Sequence, residues 1–138
     1  MKIEVYGQQR DTVKETYDEL NPDKIAAIIS RLDGVDATTI AMIGDVYTYN
    51  RIFLNCTNPP GRVRVWYSFQ HENLTLQDET QPLDQEIDIV EFGAVYTSWP
   101  LRYTVSIEIA QSLGVYYSHH NRTRISSDKF KWIRADQF

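Results

Sequence analysis

Cysteine is nearly absent from the sequence, and the single Cys56 excludes an internal disulfide and any cysteine-pair zinc site. Glycine is sparse and scattered: Gly7, Gly34, Gly44, Gly61, Gly93 and Gly114 stand singly, so no glycine-rich loop can cradle a phosphate. No run approaches the ~20 apolar residues of a membrane-spanning helix. The opening MKIEVYGQQRDTVKE lacks the apolar centre of a secretory signal, so a cytoplasmic protein with no membrane association is expected. Positive charge is also short: 14 Lys and Arg against 19 Asp and Glu leave a formal net charge of −5. That is the wrong sign for laying a basic stripe along nucleic acid, and it suits a basic partner or plain solubility.

What is present is ordinary globular material. The 138 residues are 42% hydrophobic and 24% charged, which predicts one packed domain spanning 1–138. Nine Tyr, five Phe and three Trp add large, stiff side chains with polar tips, suited to interfaces as well as to a core.

Lys2 to Tyr6 reads as a strand, and residues 7–20 form a polar stretch without clear periodicity. At Asn21-Pro22-Asp23 a capping side chain, a proline at the first helical position and an acid in the first turn coincide. Ile25, Ile28, Ile29 and Leu32 then recur at helical spacing, predicting a helix over 22–33 with Gly34 as its left-handed end. Strand formers follow in Thr38 to Ile43, with Gly44-Asp45 as a turn, then in Val46 to Tyr49 and Arg51 to Leu54 around a bulge at Asn50. Asn58-Pro59-Pro60-Gly61 breaks the pattern, and Arg62 to Gln70 opens with strict alternation as a strand.

His71-Glu72-Asn73 reads as a turn into a strand at Leu74 to Leu76. An acidic loop covers 77–85, another alternating strand runs from Glu86 to Phe92, and Trp99-Pro100 is a break. Ile109, Ala110, Leu113 and Tyr116 or Tyr117 mark a second amphipathic helix, capped by Thr104 or Ser106 and weakened by Gly114, and Phe130 to Arg134 closes as a strand. The expected fold is α+β: an antiparallel sheet of about five to six strands with two helices packed on one face.

Catalytic spacing is hard to find. His119 and His120 are adjacent, about 100° apart on a helix, and so do not form a chelating pair; no metal and no cofactor are expected. Cys56 has no readable base beside it. Glu86, Asp88 and Glu91 are candidate paired carboxylates, but Glu86 and Asp88 face one side of the strand, opposite Ile87 and Ile89, as on an ordinary solvated sheet face. Together with Asp78, Glu79 and Asp84 they form the densest acidic segment, and no Lys or Arg occurs from Gln70 to Val90. This segment reads either as a solvated, solubilising face, the usual role of a charge run, or as an acidic patch that steers a basic partner which exposed Tyr then anchors.

Val90-Glu91-Phe92-Gly93, then Trp99-Pro100, then Val105-Ser106 leading into a helix with Ala110, and last a strand carrying Trp132, resemble the first of the numbered immunity-protein families of bacterial polymorphic toxins. Gly93, Pro100, Ala110 and Trp132 are the matching positions, each with a plain structural role as turn, strand stop, close helix contact and core aromatic. The segment from His119 to Asp128 is longer, and free of glycine, where that family has a short Gly-containing turn. The resemblance implies a small cytoplasmic α+β protein, monomeric or weakly dimeric and not an enzyme. It would block a basic toxin domain, often one acting on nucleic acid, with Asp78, Glu79, Asp84, Glu86 and Asp88 as the partner-binding carboxylates standing in for phosphates and Tyr47 and Tyr49 as candidate anchors. Two other readings remain: a small ligand-binding or enzymatic α+β domain with a pocket between sheet and helices, and a subunit of a homo-oligomer.

Overall fold

Alternating apolar and polar residues run through most of the chain, and the computed structural model, which describes residues 1–45, 47–120, 125 and 130–134, turns that alternation into sheet. In chain order the elements are β1 (Lys2–Tyr6), β2 (Val13–Tyr17), α1 (Pro22–Ile29), β3 (Thr39–Asp45), β4 (Asn50–Asn58), β5 (Arg62–Phe69), β6 (Glu72–Leu76), β7 (Glu86–Glu91), β8 (Ala94–Pro100), a 3-10 turn at Leu101–Tyr103, β9 (Val105–Ser106), α2 (Ile107–His119) and β10 (Trp132–Arg134). The main sheet is ordered β10-β6-β5-β4-β3-β1-β2. β9 pairs with the start of β5, and the β7–β8 hairpin joins at the end of β4 through Thr57 opposite Ile89 and Asn58 opposite Asp88. These pairings are antiparallel.

The α+β class holds, but the expected five to six strands is an undercount, because ten strands are present among the described residues. β2 was hidden because it is an edge strand held by side-chain charge instead of burial: Val13, its one aliphatic residue, is exposed. β8 was hidden by an irregularity between Ile87 and Ile89 in its pairing, where Ser98 takes φ 64°, so its alternation slips out of phase before Pro100 ends it. β9 is two residues long and carries no pattern at all.

Turn positions moved as well. Gly44-Asp45 lies inside β3, and residues 47–49 form the turn where a strand was expected; Val46 lies outside the described residues. Tyr117 accounts for the shift. Its buried hydroxyl accepts from the Gly44 N–H at 3.1 Å and donates toward the Asn50 carbonyl at 2.8 Å, tying β3 to the start of β4 beyond the predicted turn. The β5–β6 turn likewise falls at Gln70-His71, both at positive φ, with Asn73 inside β6.

Both helices cover one sheet face. Asn21 caps α1, its side chain accepting from the Lys24 N–H at 2.9 Å, and α1 ends at Ile29, earlier than the predicted 33. Ser106 caps α2 by accepting from the Ile109 N–H at 3.2 Å. Ile25, Ile28 and Ile29 of α1 and Ala110, Leu113 and Tyr117 of α2 fill the space above Ile3, Val5, Ile40, Met42, Ile52, Leu54, Val63, Val65 and Tyr67. Gly114 belongs to this packing: a Cβ there would stand 2.4 Å from Ile29 Cδ1, so the residue read as a weakness lets the helices cross closely. Trp132 packs on Tyr67 at 5.4 Å between centroids. The glycine-free segment after α2 falls largely outside the described residues.

An ion network holds β2 to the end of α1. Arg31 donates to Glu15 and, from Nε, to Asp36 Oδ2 at 2.7 Å, while Lys14 Nζ reaches Asp36 Oδ1 at 2.8 Å. Arg31 first and Lys14 second hold the Asp36 carboxyl far below its ordinary 3.8, and Arg31 followed by the Tyr17 hydroxyl lowers Glu15. A carboxylate depressed in the folded state stabilises above its unfolded pKa and loses that contribution as pH falls toward the folded value. The melting temperature should therefore drop between about pH 5 and 3, and Asp36→Asn should start lower at pH 7 and drop less across that window. Equal slopes for the two proteins would remove the network from acid stability.

The β7–β8 turn is two residues, Phe92 at φ 50° and Gly93 at φ 84°, with Glu91 opposite Ala94. A Cβ on Gly93 would sit 2.9 Å from the Gln8 carbonyl oxygen and 3.1 Å from Arg10 Cα, both backbone atoms. Gly93→Ala should cost about 2 kcal/mol from combined left-handed strain and collision, read as a lower urea midpoint. An unchanged midpoint would show that the hairpin tip is not seated on the loop following β1.

Candidate functional site

Folding separates the acidic residues that the sequence runs together. Asp78 is consumed internally: Arg62 Nη2 donates to its Oδ2 at 2.8 Å, and the Thr80 hydroxyl to its Oδ1 at 2.5 Å. Thr80 first and Arg62 next hold the Asp78 carboxyl below its usual range. The same Arg62 donates to Thr104 Oγ1 and Thr104 O at 2.7 Å, and Arg102 Nε donates to the Gln81 carbonyl at 2.7 Å. Two arginines thus enter an acidic run that the sequence shows as free of them. Glu79, Asp84 and Glu86 stay exposed, and Asp88 is half-buried opposite Asn58.

The two tyrosines expected as anchors lie elsewhere. Tyr47 (94% exposed) and Tyr49 stand in the β3–β4 turn, before Asn50, whereas Asp88 sits opposite Asn58 at the other end of β4, eight residue steps or ~26 Å away. Tyr49 packs on His71 at 5.7 Å and under Arg51 at 6.0 Å. The apolar groups beside the acids are ones that sequence reasoning missed: Leu83 next to Asp84, and Val95 and Tyr96 on β8, opposite Val90 and Ile89. All three are more than half exposed. Their signal is the Val95-Tyr96 pair two residues after Gly93, concealed by the break read at Trp99-Pro100.

A second grouping lies on the sheet face away from the helices. Register sets Asn55 opposite Arg64 and Phe53 opposite Trp66. The Arg64 side chain is buried, with its residue 7% exposed; Nε and Nη2 donate to Asn55 Oδ1 at 3.2 and 3.0 Å, and Nη2 also to Glu91 Oε2 at 2.7 Å. Its guanidinium carbon lies 5.5 Å from the Trp66 ring centroid and 4.7 Å from that of Trp99. Phe53, Arg64, Trp66 and Glu91 line a pocket of about 250 Å³. Arg64 alternates with apolar neighbours as solvent-facing residues do; the hairpin that carries Glu91 folds over it and makes it interior.

Nucleophilic and metal chemistry find little here. Cys56 is buried inside β4, and burial followed by the charge of Asp33 pushes its thiol up to about 11. Among the described residues no three His, Cys, Asp or Glu are grouped to hold a metal. His120 stacks on Tyr116 at 4.2 Å, beside an open groove between α1 and α2 floored by Ala26 and Gln111. No helix is long and apolar enough to cross a membrane among the described residues. The four positions of the family resemblance take structural places: Gly93 in the hairpin turn, Pro100 at the end of β8, Ala110 in the core, and Trp132 against Tyr67. No family model matches the chain, and no curated protein matches it either.

A thiol of this kind stays protonated at neutral pH. A thiol-specific disulfide reagent at pH 8 should leave Cys56 unmodified in the folded protein and label it within minutes in denaturant. Fast labelling without denaturant would mean that β4 opens at that point.

Proposed function

We propose that this protein is a cytoplasmic binding protein of the immunity type, without catalytic activity of its own, that occludes a basic toxin domain with the acidic surface of its β7–β8 hairpin. One observation carries the reading: Asp84, Glu86 and Asp88 stand at one hairpin whose neighbouring apolar residues, Leu83, Val95 and Tyr96, are exposed. Carboxylates raise the rate of encounter with a basic surface, and Val95 on the face of Glu86 and Asp88, with Leu83 beside Asp84, supplies the apolar contact that holds it, whereas Tyr96, opposite Ile89, lies on the other face. Glu79, exposed in the loop before β7, contributes charge alone. Asp78 is a positioning residue that ties its loop to Arg62, and Tyr47 and Tyr49 fall outside the patch.

The filled space between sheet and helices favours this reading over a ligand site in that position, because buried aliphatic side chains occupy it. The toxin domain acts on nucleic acid in the version that uses the charge best, since carboxylates then occupy positions evolved for phosphates.

The test is binding to the cognate toxin domain, taken from the neighbouring gene. Glu86→Lys combined with Asp88→Lys should slow association at least tenfold at low salt and flatten its salt dependence, while Val95→Ala should mainly speed dissociation. Asp78→Asn should act through stability and not through association rate. If the double charge reversal leaves both the rate and its salt dependence intact, the hairpin is not the interface.

A further inference from the structure

The pocket on the sheet face opposite the helices has a chemistry the binding reading does not use. Its polar wall is an ion pair with one spare atom on each partner. Arg64 Nε and Nη2 are engaged by Asn55 and Glu91, and Glu91 Oε2 is engaged by Arg64; Arg64 Nη1 and Glu91 Oε1 make no hydrogen bond among the described residues. Neither atom is among the buried unpartnered ones, so both are reachable from the cavity and stand as one donor and one acceptor open to water or to a ligand. The other two walls are aromatic. Phe53 leans on Phe92 at 5.5 Å and Trp66 on Trp99 at 6.4 Å, so these directly opposed residues splay apart and leave space between them.

Charge narrows the occupant. Arg64 and Glu91 neutralise each other, so a carboxylate meets Glu91 unfavourably and an ammonium meets Arg64 unfavourably. A neutral planar group that accepts from Nη1 and donates to Oε1 satisfies both. At about 250 Å³ the pocket is below the usual ligand range and holds one ring system. Nucleobases fit on each count: their pairing edges set an acceptor beside a donor, and their faces stack on aromatic side chains. Just outside, Arg51 lies 5.5 Å from the Phe53 ring and has no carboxylate partner among the described residues, which leaves a cation without an ion pair near where the sugar-linked phosphate of such a base would hang.

We infer that the Phe53–Trp66 pocket is a mononucleotide site, in which the base edge bridges Arg64 Nη1 and Glu91 Oε1 and the phosphate meets Arg51. A single phosphate suits a chain of net charge −5, whereas a polynucleotide would be repelled along most of its length. This inference is independent of the hairpin interface, because it uses other residues.

The experiment is calorimetric titration of the full chain with UMP, CMP, AMP and GMP, and with uridine against 3-methyluridine. Binding of at least one mononucleotide is expected. Methylation of N3 removes the donor to Glu91 and should weaken uridine at least tenfold. Phe53→Leu keeps an apolar side chain but loses the stacking face, and should weaken the base about tenfold with a melting temperature close to that of the parent. Arg51→Gln should erase the advantage of UMP over uridine. No binding of any of the four mononucleotides at millimolar concentration overturns the inference, as does 3-methyluridine binding as tightly as uridine. A single-stranded oligonucleotide that binds more tightly than any mononucleotide also overturns it, by making nucleic acid the occupant.

Discussion

The contact on which the arrangement of surfaces depends is the one between Arg64 and Glu91. An arginine on the middle of β5 lies buried against a sheet face, where stripping water from a guanidinium costs several kcal/mol. Asn55 across the strand, Glu91 on the hairpin and two tryptophan rings offset that cost together, and three of these four come from outside β5 or from its far neighbour. Removing Glu91 alone would strand the charge, a change that typically costs 3–5 kcal/mol. Because Glu91 is the last residue before the turn, the pair pins the hairpin by its tip.

A second set of contacts at the same tip makes the position unique. Phe92 packs edge-on against Tyr6 at 4.7 Å; its N–H donates to Thr39 Oγ1 at 2.9 Å and its carbonyl accepts from the Asp11 N–H at 3.0 Å. A phenylalanine in the left-handed region is strained, and this many anchors outweigh that strain. With the tip fixed on the sheet, the outer surface of β7 and the loop before it are left in water, which is where Asp84 and Glu86 stand. The placement of the acids is thus a consequence of packing at the opposite end of the hairpin.

What the sequence made legible was local. Asn21-Pro22-Asp23 and Ser106 announce helix starts through hydrogen bonds made within one turn, and the alternation of β5 needs no knowledge of its neighbours. What stayed hidden was set by partners far along the chain. β2 depends on Arg31, β9 on Arg62 and Val63, and the true end of β3 on a tyrosine in α2. Arg64 and Glu91 look like surface residues because alternation reports which side of a strand a residue is on and says nothing about what covers that side. The overcount of free acids at the candidate site has the same origin, since Arg62 and Arg102 reach the acidic loop only after folding.

The geometry also decides between two ways of using the aromatic residues. A partner interface of ordinary size covers about 800 Å² on each protein, a patch ~30 Å across. The β3–β4 turn with Tyr47 and Tyr49 and the end of β7 with Asp88 lie ~26 Å apart, so one such patch could hold both only by placing each at its rim. Residues that hold a complex together cluster near the centre, and rim charges act on encounter more than on lifetime. Attraction from the acids is screened over ~8 Å at physiological salt and so does not reach the tyrosine turn. An interface that uses the acids must therefore be centred on the hairpin, where Val95, opposite Val90, shares the face of Glu86 and Asp88. Tyr49 packs instead on His71 and under Arg51, which also lies over Phe53.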